Sequence, residues 1–177
     1  VVAPLLFESY TKTLHSSFWL TWIEFALIVI TLTHISLTFA KTLKNSQTGN
    51  TSSLVSRRKD FLAVMASRSQ PIGGTLLLIF LLIHLDQLRF PRPLDGVELS
   101  TLHLFLSRPS NLIIYILGSL ALFLHLFHGI ESSQRSLGSL KSKNAFLIRV
   151  FGRGLSFIVG GGFVLLTVLF SSPLIIK

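Results

Sequence analysis

Three histidines, His34, His84 and His125, stand inside long apolar runs, where an ionisable side chain is costly and is a functional candidate by default. His34 comes seven residues before Lys41 and His125 ten residues before Arg135. On helices rising about 1.5 Å per residue, that puts them about 10 and 15 Å from one membrane boundary. Two imidazoles at similar depth, on helices entering from the same side, can bind one iron from opposite faces, as haem iron accepts. Gly118 and Ala121 stand seven and four residues before His125, on its side of a helix, and leave room there for a flat porphyrin. The alternative is that each histidine is a neutral imidazole bonded to a neighbouring helix. On that alternative the small residues simply let helices approach. His84 does not join the pair. It precedes Arg89 by five residues, about 8 Å from the opposite surface, so a haem bound there is a second one. His15 and His103 fall at or outside that boundary and offer no obvious partner. His128, one turn beyond His125, is placed to contact a propionate or a quinone, or to serve as a hydrogen-bonded packing residue.

The elements that carry these residues are long. Segments at about 18–43, 72–88, 110–133 and 150–176 each suffice to cross a hydrocarbon core of about 30 Å. Half of the 177 residues are hydrophobic and only 13% are charged, where a soluble domain needs about a quarter. The expectation is therefore an all-α transmembrane helix bundle, one membrane domain over residues 1–177, with lipid around it. There is no cysteine, which excludes disulfides, thiolate metal sites and thiol nucleophiles. The net charge of +9 does not point to nucleic acid, because the basic residues lie between apolar runs and form no aromatic-laced patch.

Charge sets orientation instead. The connection after the first span, with its flanks, carries Lys41, Lys44, Arg57, Arg58, Lys59 and Arg68. The connection after the third carries Arg135, Lys141, Lys143, Arg149 and Arg153, with Gly138 as the expected helix stop. On the other side Lys12, Arg89, Arg92, Arg108 and Lys177 are spread over three segments and partly offset by Glu8, Asp95 and Glu98. The two basic connections then face the cytoplasm or matrix, and both termini lie outside. Segment 44–68 reads as a polar connection, and segment 89–108 as one broken by Pro91 and Pro93 and ended by Pro109. The chain opens on Val1, so the expectation is a processed or incomplete N-terminus.

The order of these features resembles the membrane-anchor cytochrome b subunit of succinate dehydrogenase and fumarate reductase (complex II) in its single-chain dihaem form. The segments that carry the resemblance are Thr33-His34 with Phe39-Ala40-Lys41, then Gln70, Gly74 and His84, then Tyr115-Ile116-Leu117-Gly118 running to Leu124-His125. It covers helices two to five of that family's five. It implies that His34 and His125 hold an inner haem b and His84 an outer one, with Gly118, Ala121, His128 and Arg68 around the inner group. The outer haem's second ligand belongs to the family's first helix, which a further small membrane subunit or a missing segment would supply. Position 71, often arginine in the family, is Pro71 here. That residue suits the first turn of a helix and leaves any propionate contact to Arg68 or another basic residue.

What the resemblance implies is electron transfer, with the dicarboxylate chemistry on partner chains. An iron–sulfur subunit would dock on the basic connections and receive electrons from a flavoprotein subunit; the anchor would pass them to membrane quinone. The membrane would be bacterial plasma or thylakoid, or mitochondrial inner. An inner quinone site would lie near Ser69 and Gln70, and an outer one near Glu24, His84 and Asp86. Glu8 and Glu24 are candidates to deliver protons there, although Glu24 also suits the positive end of its helix dipole. Two other readings stay open. One is a haem b subunit of another quinone-linked enzyme such as a hydrogenase; the other is a haem-free structural subunit or small transporter. The spans lack paired carboxylates, which weighs against a transporter.

Overall fold

The computed structural model describes residues 2–49, 60–91 and 97–172. Among them every regular element is helical. Four helical stretches are long and apolar enough to cross a membrane: Trp19–Gln47, Gln70–Arg89, Pro109–Ser136 and Ala145–Ser171. They fall on the four expected segments, and the chain is an all-α membrane protein. Large apolar side chains such as Trp22, Ile30, Leu82 and Phe151 are exposed on them, as lipid-facing residues are and as those of a water-soluble surface are not. The basic residues Arg57, Arg58 and Lys59, and the loop residues Arg92, Pro93 and Asp95, lie outside the described residues, as does Lys177.

The chain divides into two compact units, Val1–Ser53 and Leu54–Lys177. The first holds α1 (Val2–His15) and α2 (Trp19–Gln47). No residue of α2 is buried. Two of its hydroxyls bond within the helix, Thr33 donating to the Val29 carbonyl at 2.8 Å and Thr42 to that of Thr38 at 2.9 Å. Such internal bonds let polar side chains sit at membrane depth.

The second unit is built around α6 (Pro109–Ser136). Against it pack α3 (Phe61–Arg68), α4 (Gln70–His84, continued as a π-helical turn over Leu85–Arg89), α5 (Glu98–Leu106), α7 (Ala145–Ser156) and α8 (Gly162–Ser171). A second π-helical turn, Phe157–Gly161, joins α7 to α8. Contacts fix the register. Gln70 meets residues 124 and 125, Phe80 meets Gly118, and His84 meets Tyr115, so α4 and α6 run antiparallel. Gly152 meets Ile130 and Gly160 meets Phe123, so the α7–α8 rod is antiparallel to α6 as well.

Glycine makes the second of those approaches possible. A Cβ on Gly160 would lie 2.6 Å from the Cα of Phe123, closer than two non-bonded carbons can stand. At the other end of α6, Gly138 adopts φ 68°, the left-handed conformation that ends a helix. The amide of Ser139 then closes on the Gln134 carbonyl at 2.9 Å. The expected stop is where the helix stops. Pro71 and Pro109 occupy the first turns of α4 and α6, where a missing N–H costs nothing.

Two segments read as connections contain helix. In 44–68, the run Phe61–Arg68 forms α3. Asp60 caps it, its carboxylate accepting from the Ala63 amide at 3.3 Å, and Ala63, Ala66 and Ser67 are buried against Phe127, Phe123 and Leu124. In 89–108, Glu98–Leu106 forms α5, with Leu99 and Leu106 buried. Both are too short to span and too short to stand alone in water. Tertiary burial holds them, and a reading of long apolar runs passes over them.

Candidate functional site

Near the middle of α6, His125 is half-buried, and its imidazole faces α4. A Cβ on Gly74 would stand 3.6 Å from its Cε1 and 3.9 Å from its Nδ1, so the ring lies against the glycine backbone. One turn earlier on the same face of α4, Gln70 reaches across. Its Nε2 donates to the carbonyls of Leu124 and His125 at 3.2 Å each, and of Ala66 at 3.3 Å. That amide group is committed to α6 and to α3. It ties the backbone that carries His125 to the junction between α3 and α4. Ser69, beside it, donates to Ala66 at 3.2 Å, and Arg68 is exposed.

Below this level the basic end is laced by ion pairs. Arg153 donates to Asp60 and sits 4.9 Å over the Phe127 ring, a cation–π contact. Phe157 meets Phe123 edge-on at 4.9 Å. Glu131 faces both Arg135 at 3.2 Å and Arg149 at 3.6 Å. The Ala63 amide and then Arg153 hold the Asp60 carboxyl below the ordinary carboxylate range. His128 is half-buried in the same stretch of α6.

Ten residues along α6 towards its N-terminus, about 15 Å, lies a second polar centre. His84 is half-buried at the end of α4, with its Nδ1 3.2 Å from the Tyr115 hydroxyl. His84 and His125 therefore occupy different levels of the second unit. Phe80 and Phe105 flank the tyrosine, both edge-on, with centroids at 5.1 and 5.7 Å. Asp86 is exposed one turn-fragment further on. His103 of α5 closes this end, its Nδ1 2.8 Å from the Phe170 carbonyl.

Comparison of the chain with family models, with curated proteins and with solved structures gives no match. The assignment of the site rests on its residues alone.

The remaining predicted residues divide by unit. His34 is exposed on α2 and Glu24 half-buried in the second turn of the same helix. Both belong to the first unit, so pairing His34 with His125 stays with the proposal below. Gly118 and Ala121 are buried, and the room above Gly118 is taken up by the Phe80 ring, 2.5 Å from where a Cβ would stand. Reading the residues in order passed over the part played by Tyr115, Gly74 and Asp60. Tyr115 had a signal of its own. A tyrosine deep in an apolar run must find a partner for its hydroxyl, and His84 is the imidazole on the facing helix.

Each half-buried imidazole carries a ring nitrogen that could hold a metal. A metal-bound histidine uses one ring nitrogen on the metal and anchors the ring through the other or through its backbone. The His84 Nδ1 meets the Tyr115 hydroxyl, so Nε2 is the ring nitrogen that would face a metal. The His125 carbonyl accepts from Gln70, and its ring lies beside Gly74.

Proposed function

We propose that this chain is a haem b-binding membrane anchor of a succinate:quinone oxidoreductase of the complex II type, carrying electrons between an iron–sulfur subunit and membrane quinone. The observation that carries the reading is His125 at membrane depth on α6, its backbone carbonyl accepting from the Gln70 amide and its imidazole lying beside Gly74 of α4. In this reading His125 and His34 hold an inner haem b and His84 an outer one. Haem supplies a one-electron centre whose potential the axial ligands and burial tune.

The chain's own residues do the positioning. Gln70 holds the His125 backbone, and its committed Nε2 leaves the Oε1, with Ser69, as the polar groups that meet an inner quinone. Arg68 and Arg135, both exposed, are cations for a propionate and for an acidic docking surface on the iron–sulfur subunit. Glu24 and Asp86 are the carboxylates for proton delivery to an outer quinone. A bacterial plasma or thylakoid membrane, or the mitochondrial inner membrane, is the setting this function requires.

One observation favours a second reading, a haem-free structural subunit. Phe80 fills the step at Gly118, as in ordinary small-residue helix packing. Absorbance separates the two. The complex purified from its native membrane should give the reduced-minus-oxidised spectrum of a six-coordinate haem b and should contain flavin and iron–sulfur subunits. A preparation with its partners intact and no haem absorbance would overturn the proposal in favour of the second reading.

A further inference from the structure

The geometry points to Tyr115 as the positioning residue of His84: when Nε2 ligates iron, the Tyr115 oxygen accepts the Nδ1 proton, fixes the direction of the ring and raises the electron donation of that ligand. The inference rests on the haem reading above and names a residue that reading does not use.

Tyr115 is 7% exposed, within a helix whose neighbours are apolar. A phenol hydroxyl in such surroundings is costly unless bonded, and its partner here is the Nδ1 of His84 at 3.2 Å. The contact crosses from α6 to α4, so it joins two rigid elements. Rings on three sides hold its direction. Phe80 and Phe105 meet Tyr115 edge-on, at interplanar angles of 84° and 71°. Phe80 also lies 5.8 Å from the His84 ring, and the His84 and Tyr115 rings are tilted by 58°. The imidazole therefore cannot turn freely without losing both a hydrogen bond and its aromatic contacts.

The consequence is chemical. A neutral imidazole carries one proton, and iron takes the nitrogen that lacks it. In the tautomer with its proton on Nδ1, the imidazole donates to the Tyr115 oxygen, and Nε2 keeps the lone pair that would ligate iron. The hydrogen bond also pushes electron density toward Nε2 and makes it a stronger donor. A stronger axial donor favours the ferric state and lowers the reduction potential of the haem it binds. Tyr115 thus sets the potential of the outer centre independently of the inner one, which belongs to a level ten residues away on α6.

The test is Tyr115→Phe in the complex purified from its native membrane, which keeps the ring contacts and removes only the hydroxyl. The expected result is retention of both haems, a more positive midpoint potential for the outer haem and a changed low-spin electron paramagnetic resonance signal for it. The inner haem should be unmoved. Phe105→Leu, which loosens the packing of Tyr115 and leaves the hydroxyl, should leave both potentials in place. An unshifted outer potential in Tyr115→Phe overturns this inference and leaves the anchor function standing, as does an equal shift in Phe105→Leu. A complex in which His84→Ala retains both haem signals removes His84 as a ligand and this inference with it. Absence of haem from the unmodified complex overturns the functional reading itself.

Discussion

The helices α2 and α6 differ by one residue in length, 29 against 28, and have similar mean hydropathy, 1.8 against 2.0. Each carries a histidine near its middle. Yet α2 buries none of its residues, whereas α6 buries Asn111, Tyr115, Gly118, Ser119, Ala121 and Phe127. The difference lies in which residues interrupt the apolar run. Along α6, Gly118, Ser119 and Ala121 thin one side of the helix, so that Phe80 of α4 comes into contact there. Along α2 there is no glycine, and the hydroxyls of Thr33 and Thr42 bond their own backbone. Hydropathy of this kind reports that a helix crosses a membrane. It does not report what the helix touches.

The largest effect expected breaks this contrast outright. If α2 and α6 serve one cofactor, His34→Ala and His125→Ala should each abolish the inner haem, because a six-coordinate iron loses an axial ligand in either case. The reduced-minus-oxidised spectrum of the purified complex reads this directly. Retention of the full inner-haem band in either variant would remove that histidine as a ligand and overturn the pairing.

The next effect sharpens the packing side of the comparison. Gly160→Leu drives a side chain into the backbone of α6 at Phe123, and overpacking of this kind costs about 1–3 kcal/mol or more. The detergent-solubilised complex should melt at a clearly lower temperature. Ala26→Leu, on the exposed side of α2, should leave the melting temperature within the scatter of the unmodified protein. Equal losses at the two sites would mean that α2 is as tightly seated as α6.

Gln70→Leu is expected to be milder. It removes one amide group shared among three carbonyls, so the loss is about 1 kcal/mol, the net worth of one typical hydrogen bond. The more telling readout is the environment of His125. A shift in its imidazole signals by nuclear magnetic resonance should accompany the substitution. No shift would show that Gly74 alone seats the ring.

The smallest effect is at the rim. Asp60 is held below the ordinary carboxylate range by the Ala63 amide and by Arg153. A carboxyl whose folded value is depressed contributes stability above its unfolded value, near 3.8, and that contribution is lost as pH falls through the lower, folded value. Acid melting curves of the protein should therefore show a component below about pH 4 that Asp60→Asn removes. Both partners are partly exposed, so the component is small and fades with added salt. A salt-insensitive component would place this ion pair in a drier setting than its exposure indicates.

The positions of the four spans, the starts at Pro71 and Pro109 and the stop at Gly138 were legible in the order of residues. Each depends on local chemistry: apolar length, a missing N–H, a left-handed φ. The histidines were legible as candidates for the same reason, since a titratable group in an apolar run is conspicuous wherever the chain goes afterwards. Tertiary structure alone decided what meets what. α3 and α5 exist because α6 and α8 bury them, and nothing within eight or nine residues could announce that. Gln70 bonds residues 54 and 55 positions away, and Tyr115 finds His84 at a separation of 31. Phe80 occupies the step at Gly118 because antiparallel packing sets that register between α4 and α6. Such partnerships depend on register and crossing between helices, which follow from the summed shape of whole faces and not from any short run of residues.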